Sequence, residues 1–126
     1  MVGVIIVSHS EKVAEGAAEL ALQMAPDAPV AAAGGLPEGG IGTSYDRIME
    51  AAEKVTGEDG AVVLFDMGSA IMTTREVLDD HGGNIRMLDG PVVEGAIIAA
   101  IGSQMGLSID EIAEQVLTAK SENKLE

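Results

Sequence analysis

The chain has 126 residues, enough for one domain with a buried core, and its formal net charge at pH 7 is -14. It contains one phenylalanine, one tyrosine and no tryptophan, so it lacks both the cationic surface and the stacking aromatic side chains that nucleic-acid binding requires. It has no cysteine for a disulfide, no cleavable leader pattern and no apolar stretch of about 18 residues. These absences predict a cytoplasmic protein that does not insert into a membrane.

Apolar runs alternate with helical spacings along the whole chain. The predicted elements are strand 2–7, helix 11–24, strand 30–33, a helix capped by Thr43 or Ser44 that runs to about 55, strand 61–65, helix 70–80, strand 85–88, helix 91–105 and a fifth helix capped by Ser108. This alternation predicts an α/β fold: one three-layer domain with a mostly parallel four-stranded sheet and about five helices. We assign residues 1–120 to the domain and 121–126 to a polar C-terminal tail.

Large apolar residues indicate how the helices face the core. In the first helix, Val13, Ala17, Leu20 and Met24 are spaced to share one buried face. The methionines at 24, 49, 72, 87 and 105 are interpreted as core packing, not as metal ligands, and no metal site is predicted. His81 is expected at a helix C-terminus, where a cation favourably meets the helix dipole.

Three loops that carry polar side chains follow the first three strands. They are Ser8-His9-Ser10, Gly40-Ile41-Gly42-Thr43-Ser44 and Asp66-Met67-Gly68-Ser69. In a parallel sheet the carboxyl ends of the strands form one edge, and this edge is where ligands bind. We therefore expect the three loops to meet.

His9 is the first candidate for chemistry near pH 7 because imidazole titrates in that range. A carboxylate that accepts the proton on its Nδ1 would leave Nε2 as the nucleophile, and Asp66 ends the strand expected to lie beside the first. The glycines and hydroxyls of the loops suit a bound phosphoryl group. The candidate phosphoryl-binding residues are Ser10, Gly42, Thr43, Ser44, Gly68 and Ser69.

Four segments together resemble one family. They are Val4-Ile5-Ile6-Val7-Ser8-His9-Ser10, Gly40-Ile41-Gly42-Thr43-Ser44, Phe65-Asp66-Met67-Gly68-Ser69-Ala70 and Pro91-Val92-Val93-Glu94-Gly95-Ala96. The family is the phosphotransfer subunit of the phosphoenolpyruvate-dependent dihydroxyacetone kinase, whose first domain is similar to the IIA domain of the mannose-type sugar phosphotransferase system. The resemblance extends to about Leu117.

The resemblance implies that this chain is a phosphotransferase component working through a phosphohistidine. His9 would accept a phosphoryl group from the histidine-containing phosphocarrier protein and pass it to ADP, forming ATP, on the nucleotide-binding kinase subunit. Asp66 would orient His9, and a third subunit would hold dihydroxyacetone. Members of the family are commonly homodimers, and the relay needs no permanently bound cofactor.

Three alternatives remain open from the sequence. The nearest is the IIA domain of a mannose-type sugar transporter, although those domains tend to have a loop richer in glycine and proline than Gly68-Ser69-Ala70. A metal-handling chelatase also begins with a strand followed by a histidine, but it would need further ligands that converge on the metal. The third is a regulatory domain that binds an anion at the same edge without turnover.

The acidity of the chain fits a partner with a basic patch. It equally fits a chain that is acidic only for solubility or for a high-salt cytoplasm.

Overall fold

The computed structural model describes residues 1–125. Its elements, in chain order, are β1 (Gly3–Ser8), α1 (Glu11–Met24), β2 (Val30–Gly34), α2 (Tyr45–Val55), β3 (Ala61–Phe65), a 3-10 turn (Gly68–Ala70), α3 (Ile71–His81), β4 (Ile85–Leu88), α4 (Val92–Gln104) and α5 (Ile109–Ser121). The predicted boundaries of α1, β3 and β4 agree with the structure, and α2 and α5 begin after the predicted caps Ser44 and Ser108. The boundaries of β1, β2, α3 and α4 differ from the prediction by one residue at one or both ends.

The sheet has β1 and β3 at its centre, in the order β2-β1-β3-β4, and neighbouring strands are parallel throughout the described chain. The register places Val7 of β1 opposite Ala33 of β2 and Phe65 of β3. These three strands therefore end at nearly the same level, and the loops that follow them lie along one edge. The predicted α/β class with four strands and five α-helices is confirmed over residues 1–125, and the sheet is wholly parallel.

Each face of the sheet has its own apolar core, because side chains alternate along a strand. Val4 and Ile6 of β1 belong to the core beneath α1, α4 and α5, whereas Ile5 and Val7 belong to the core beneath α2 and α3. The domain therefore has the three layers that the alternating pattern predicts.

The predicted buried face of α1 is wrong at three of its four residues, and only Ala17 is buried as predicted. Val13, Leu20 and Met24 are exposed, with half of Leu20 accessible to solvent. The buried face is instead a stripe of small residues at positions i, i+3, i+4 and i+7, namely Ala14, Ala17, Ala18 and Ala21. Because alanine lets a helix approach closely, α1 packs tightly against β2 and α4, and the larger side chains remain outside.

The methionines divide into two groups. Met49 and Met87 pack against the core, as predicted. Core packing is wrong for Met24, Met72 and Met105, which are exposed by 60%, 78% and 70%. Helical spacing shows which residues share a side of a helix, but it does not show which side faces the core. In α1 the side that faces the core is the stripe of alanines, so Met24 lies outside it.

The helix termini follow local hydrogen-bonding rules. Ser10, Ser44 and Ser108 accept hydrogen bonds at the starts of α1, α2 and α5, and Glu111 completes a capping box with Ser108. Pro91 stands directly before α4, where its missing N–H has no cost.

The helix α5 extends to Ser121, the first residue of the predicted tail, and Glu126 at the end of that tail lies outside the described residues. None of the helices within residues 1–125 is long and apolar enough to cross a membrane.

Gly34 permits a close contact between the end of β2 and the start of α1. A Cβ atom at Gly34 would lie 2.6 Å from the backbone oxygen of Ser10 and 2.7 Å from the Cβ of Ala14. The first of these neighbours is backbone and cannot move without shifting the helix start. The glycine therefore sets the position of the segment that begins directly after His9.

We predict that Gly34→Ala lowers the free energy of unfolding by about 1–3 kcal/mol, since the added methyl group forces backbone to move. Gly16→Ala is the matched control, because a Cβ atom at Gly16 of α1 meets nothing within 4 Å. That change should raise the free energy of unfolding by about 0.4–1 kcal/mol through the lower entropy of the unfolded chain. Urea unfolding measures both, and a Gly34→Ala variant as stable as the wild type would contradict the close contact.

Candidate functional site

His9 lies between the end of β1 and the start of α1. Ser8 is the last residue of β1, and Ser10 is the N-cap of α1, so both neighbours of His9 belong to hydrogen-bonded structure. The side chain of His9 is 15% exposed and that of Asp66 is 19% exposed. The imidazole is therefore held in the protein with one part open to solvent.

Asp66, the residue after β3, receives four hydrogen bonds. Its Oδ1 lies 3.0 Å from the Nδ1 of His9 and accepts the backbone N–H of Met67 at 2.8 Å. Its Oδ2 accepts the backbone N–H of His9 at 3.0 Å and the hydroxyl of Ser8 at 2.8 Å. Because each oxygen has two partners, the carboxylate is fixed in position and in rotation.

These hydrogen bonds set the ionisation of Asp66. Burial alone raises the pKa of a carboxyl group, but the bonds from the backbone and side chain of His9, from Ser8 and from Met67 outweigh burial and lower the pKa of Asp66. Asp66 is therefore a carboxylate at neutral pH.

The ionised carboxylate assigns the tautomer of His9. A carboxylate can only accept, so the proton of the neutral imidazole resides on Nδ1 and the lone pair on Nε2. The Oγ of Ser69 lies 2.8 Å from Nε2 and, with this tautomer, donates its hydrogen to it. The nitrogen at the open side of the site is thus a nucleophile already in contact with a hydroxyl group.

Ser8 is a part of the site that the sequence analysis missed as a site residue. It is fully buried, donates its hydroxyl hydrogen to Asp66 and accepts the backbone N–H of Ser10 at 3.0 Å. The signal for it was a hydroxyl residue at the end of an otherwise apolar buried strand, a position where a polar group needs a partner.

The loop after β2 reaches His9 through its backbone. The N–H of Gly42 donates to the carbonyl oxygen of His9 at 2.9 Å, and Gly42 has a φ of 153°, a value that favours glycine. The hydroxyl of Ser44 caps α2 by accepting the N–H of Arg47. Thr43 lies half-buried between them.

The predicted site residues therefore play different parts. The side chains of His9, Asp66 and Ser69 contact one another, whereas Gly42 contributes backbone. The hydroxyl of Ser10 accepts the N–H of Val13 at the start of α1. Gly68 begins the 3-10 turn that carries Ser69 into α3.

His81 is remote from this constellation. It is the last residue of α3, as predicted, and its Nδ1 accepts the backbone N–H of Gly83 at 3.1 Å. No group of three or more histidine, aspartate or glutamate residues within the described part of the chain is arranged to hold a metal ion.

Comparison with known proteins identifies the family. The family described as the PTS system fructose IIA component (EIIA-man) matches residues 3–117. The chain belongs to this family. All of the site residues described above lie within the matched range.

Named relatives extend the comparison. The chain is 36% identical over 114 residues to the Lactococcus lactis protein "PTS-dependent dihydroxyacetone kinase, phosphotransferase subunit DhaM", covering 90% of this chain and 92% of that protein. It is 36% identical over 133 residues to the Escherichia coli protein "PEP-dependent dihydroxyacetone kinase, phosphoryl donor subunit DhaM". That alignment covers 97% of this chain but only 28% of the E. coli protein, so the chain spans less than a third of that relative.

Two solved structures share the EIIA-man fold seen here. A protein of unknown function superposes with a TM-score of 0.80 at 21% identity, covering 98% of both chains. A sigma-54 interaction domain protein from Enterococcus faecalis superposes with a TM-score of 0.70 at 17% identity, covering 93% of this chain and 88% of that one. At these identities the likeness concerns the fold alone.

We predict that Asp66→Asn lowers the free energy of unfolding by about 1–3 kcal/mol near neutral pH, because four donors lose an ionised acceptor. The pKa of Asp66 in the folded protein lies below its ordinary value of 3.8, so its stabilisation is present above that pH and is lost as the pH falls through the folded-state pKa. The stability difference between wild type and variant should therefore narrow in acid.

Urea unfolding at about pH 7 and about pH 3 measures this narrowing. Asp79→Asn is the control, since Asp79 is exposed on α3 and forms no ion pair with residues 1–125. A difference for Asp66→Asn that is equal at both pH values would contradict the role of the charge.

Proposed function

We propose that this chain is the phosphoryl carrier of a dihydroxyacetone kinase system. In this proposal, the Nε2 of His9 accepts a phosphoryl group from the histidine-containing phosphocarrier protein and passes it to ADP on the nucleotide-binding kinase subunit. The observation that carries the proposal is the His9 ring with its Nδ1 at 3.0 Å from the Asp66 carboxylate and its Nε2 open beside Ser69. Membership of the EIIA-man family supports a phosphoryl carrier, and the similarity to dihydroxyacetone kinase subunits supports this choice of acceptor.

Uptake begins with the lone pair of Nε2. It attacks the phosphorus atom, the bond from phosphorus to the donor's nitrogen breaks, and the ring of His9 becomes a phosphorylated imidazolium that keeps its proton on Nδ1. Asp66 offsets the positive charge that develops on the ring and keeps the ring in place. No proton needs to leave the site in this step.

The surroundings of Nε2 fit the phosphoryl oxygens. The hydroxyl of Ser69 turns from Nε2 to an oxygen of the group, and the N–H groups of Gly68 and Ser69 start a helical segment, where amides have no partner within the helix. Gly42, Thr43 and the start of α2 approach from the other side of His9, with Gly42 donating to the His9 carbonyl. The protein then promotes transfer chiefly by positioning the reactants and by stabilising the charge of the transition state.

Discharge reverses the same steps. An oxygen of the terminal phosphate of ADP attacks the phosphorus atom, the N–P bond breaks, and the electron pair returns to Nε2. His9 is left neutral with its proton still on Nδ1, and ATP leaves on the partner subunit. The chain acts as a phosphotransferase component without a permanently bound cofactor, in the cytoplasm where these substrates reside.

Exposed apolar side chains around His9 suit docking of protein partners. Ile41, Met67 and Met72 are exposed on the segments that carry the site residues, and methionine adapts its shape to more than one partner. Donor and acceptor proteins would cover these side chains in turn. Dihydroxyacetone would bind on a third subunit and would not touch this chain.

A second candidate is the IIA domain of a mannose-type sugar transporter. Membership of a family described as a fructose IIA component favours it, while the similarity to dihydroxyacetone kinase subunits favours the kinase. The two differ only in the acceptor of the phosphoryl group. Transfer from phosphorylated protein to an ADP-loaded kinase subunit, compared with transfer to a transporter domain, separates them.

We predict that phosphoenolpyruvate and the two general phosphotransferase proteins add one acid-labile phosphate per chain. His9→Ala should abolish this uptake because the nucleophile is lost, and His81→Ala is the control because His81 lies at the far end of α3. Phosphorus NMR identifies the phosphorus–nitrogen bond. Uptake that persists in His9→Ala, or that disappears in His81→Ala, would contradict the assignment.

We also infer that the chain forms a homodimer through α4. This helix has one charged side chain, Glu94, and its residues Val93, Ile97 and Ile101 form a partly exposed stripe with a spacing of four. A helix that is apolar on all sides is normally covered. In a chain with a net charge of -14, an uncharged face is where a second copy meets least repulsion.

Analytical ultracentrifugation tests the dimer. Ile97→Glu should convert the dimer to monomer, because like charges would meet in a symmetric interface. Leu20→Glu on α1 is the control for a charge placed on another exposed apolar residue. A wild-type monomer, or a dimer unaffected by Ile97→Glu, would contradict this interface.

A further inference from the structure

A cleft adjoins the His9 site and shares two of its residues, Asp66 and Gly68. It has a volume of about 470 Å³ and lies between the ends of β3 and β4 and the first turns of α3. Phe65, Ile71 and Met87 form an apolar part of its wall, and Asp66 and Gly68 belong both to this cleft and to the His9 site. A molecule that binds beside the phosphoryl group can therefore extend into this space.

The guanidinium of Arg75 lines the cleft and forms no ion pair with an acid of residues 1–125. The chain has 7 lysines and arginines against 21 acidic residues. Four of those cations form ion pairs, namely Arg47 with Glu11, Arg86 with Asp110, Lys120 with Asp89 and Lys124 with Glu94. Arg75 forms neither an ion pair nor a hydrogen bond with any described residue, although acids outnumber bases three to one.

The position of Arg75 on α3 directs its side chain towards the site. Helical side chains lean towards the N-terminus of their helix, and Arg75 lies one turn beyond Ile71, the first residue of α3. Its side chain therefore extends towards Gly68, where the cleft and the phosphoryl-binding turn meet. Asp89, an acid in the same cleft, is already paired with Lys120 at 2.7 Å.

The discharge step of the proposed function needs a cation at this place. The side chains that contact His9 belong to Asp66 and Ser69, so they supply one negative charge and no positive one. The attacking phosphate of the acceptor is itself an anion, and it must approach a phosphoryl group that is also anionic. A guanidinium presents a planar fork of N–H groups that binds phosphate oxygens in pairs.

We propose that this cleft receives the terminal phosphate of the acceptor nucleoside diphosphate and that Arg75 donates hydrogen bonds to its oxygens while His9 discharges. The inference rests on the proposed function and assigns Arg75 to one of its two half-reactions. In discharge the N–P bond to His9 breaks as the new P–O bond forms, and Arg75 offsets the charge of the attacking oxygen and its neighbours. In uptake the donor is a phosphohistidine, no nucleotide is present, and Arg75 has no ligand in the cleft.

Rapid-quench measurements of the two half-reactions test the proposal. Uptake is measured with the phosphorylated histidine-containing phosphocarrier protein, and discharge is measured as ATP formed on the ADP-loaded nucleotide-binding subunit. Arg75→Gln should slow discharge by about 10–100-fold while uptake stays within about twofold of the wild type. Arg75→Lys keeps the charge without the fork and should restore part of the discharge rate.

Arg86→Gln is the matched control, because Arg86 is exposed and pairs with Asp110 away from the cleft. It should leave both half-reactions unchanged. Arg75→Gln with normal discharge overturns the proposal, and so does equal slowing of uptake and discharge, which would place the guanidinium on the phosphoryl group or in the fold. A wild-type chain that takes up no phosphate contradicts the proposed function itself, so the two failures are distinguishable.

Discussion

The site depends on the hydrogen bonds that join Asp66 to the end of β1. Because β1 and β3 are adjacent and parallel, the residues that follow them emerge side by side, and the N–H of Asp66 continues the ladder to the carbonyl of Val7 at 3.2 Å. The carboxylate then receives the hydroxyl of Ser8 and both the backbone and the ring of His9. The sheet itself, more than a flexible loop, orients the imidazole, as precise positioning of a reacting group requires.

Close packing of small residues connects that orientation to the rest of the fold. Gly34 and the alanine stripe of α1 bring the helix start against the end of β2, and the N–H of Gly35 donates to the carbonyl of Ser8 at 3.1 Å. Gly42 then donates to the carbonyl of His9 from the same loop. Two neighbouring carbonyls of the site segment are therefore held by the loop that follows β2. A larger residue at Gly34 would disturb His9 without touching it.

Sequence alone could predict what short-range patterns encode. β3 is a continuous apolar segment between Gly60 and Asp66, and the capping box at Ser108 fixes the start of α5. Periodicity could not choose between two stripes of α1, because Ala17 has a helical spacing with both Val13 and Ala14. Only the close packing of α1 against α4 decides which stripe is buried. The adjacency of β1 and β3 is predicted, but the role of Ser8 depends on which way its side chain points at the end of β1, and the order of elements does not specify that. The sequence could place polar residues at strand ends, but their hydrogen bonds belong to the assembled sheet.

The charged side chains of the site bear on its two proposed half-reactions differently. In the proposed relay, the carboxylate of Asp66 would stabilise the imidazolium of phosphorylated His9, and it would serve uptake and discharge alike because the ring passes through the same charged form in both. A carrier built only on that pair would favour neither partner. The unpaired guanidinium of Arg75 lines a cleft that shares Asp66 and Gly68 with the site, so in the proposed relay an acceptor that is more anionic than the donor would gain more from it. On a chain with a net charge of -14, an unpaired cation in that cleft would matter more than it would on a neutral surface, because the net field of the chain opposes the approach of an anionic acceptor.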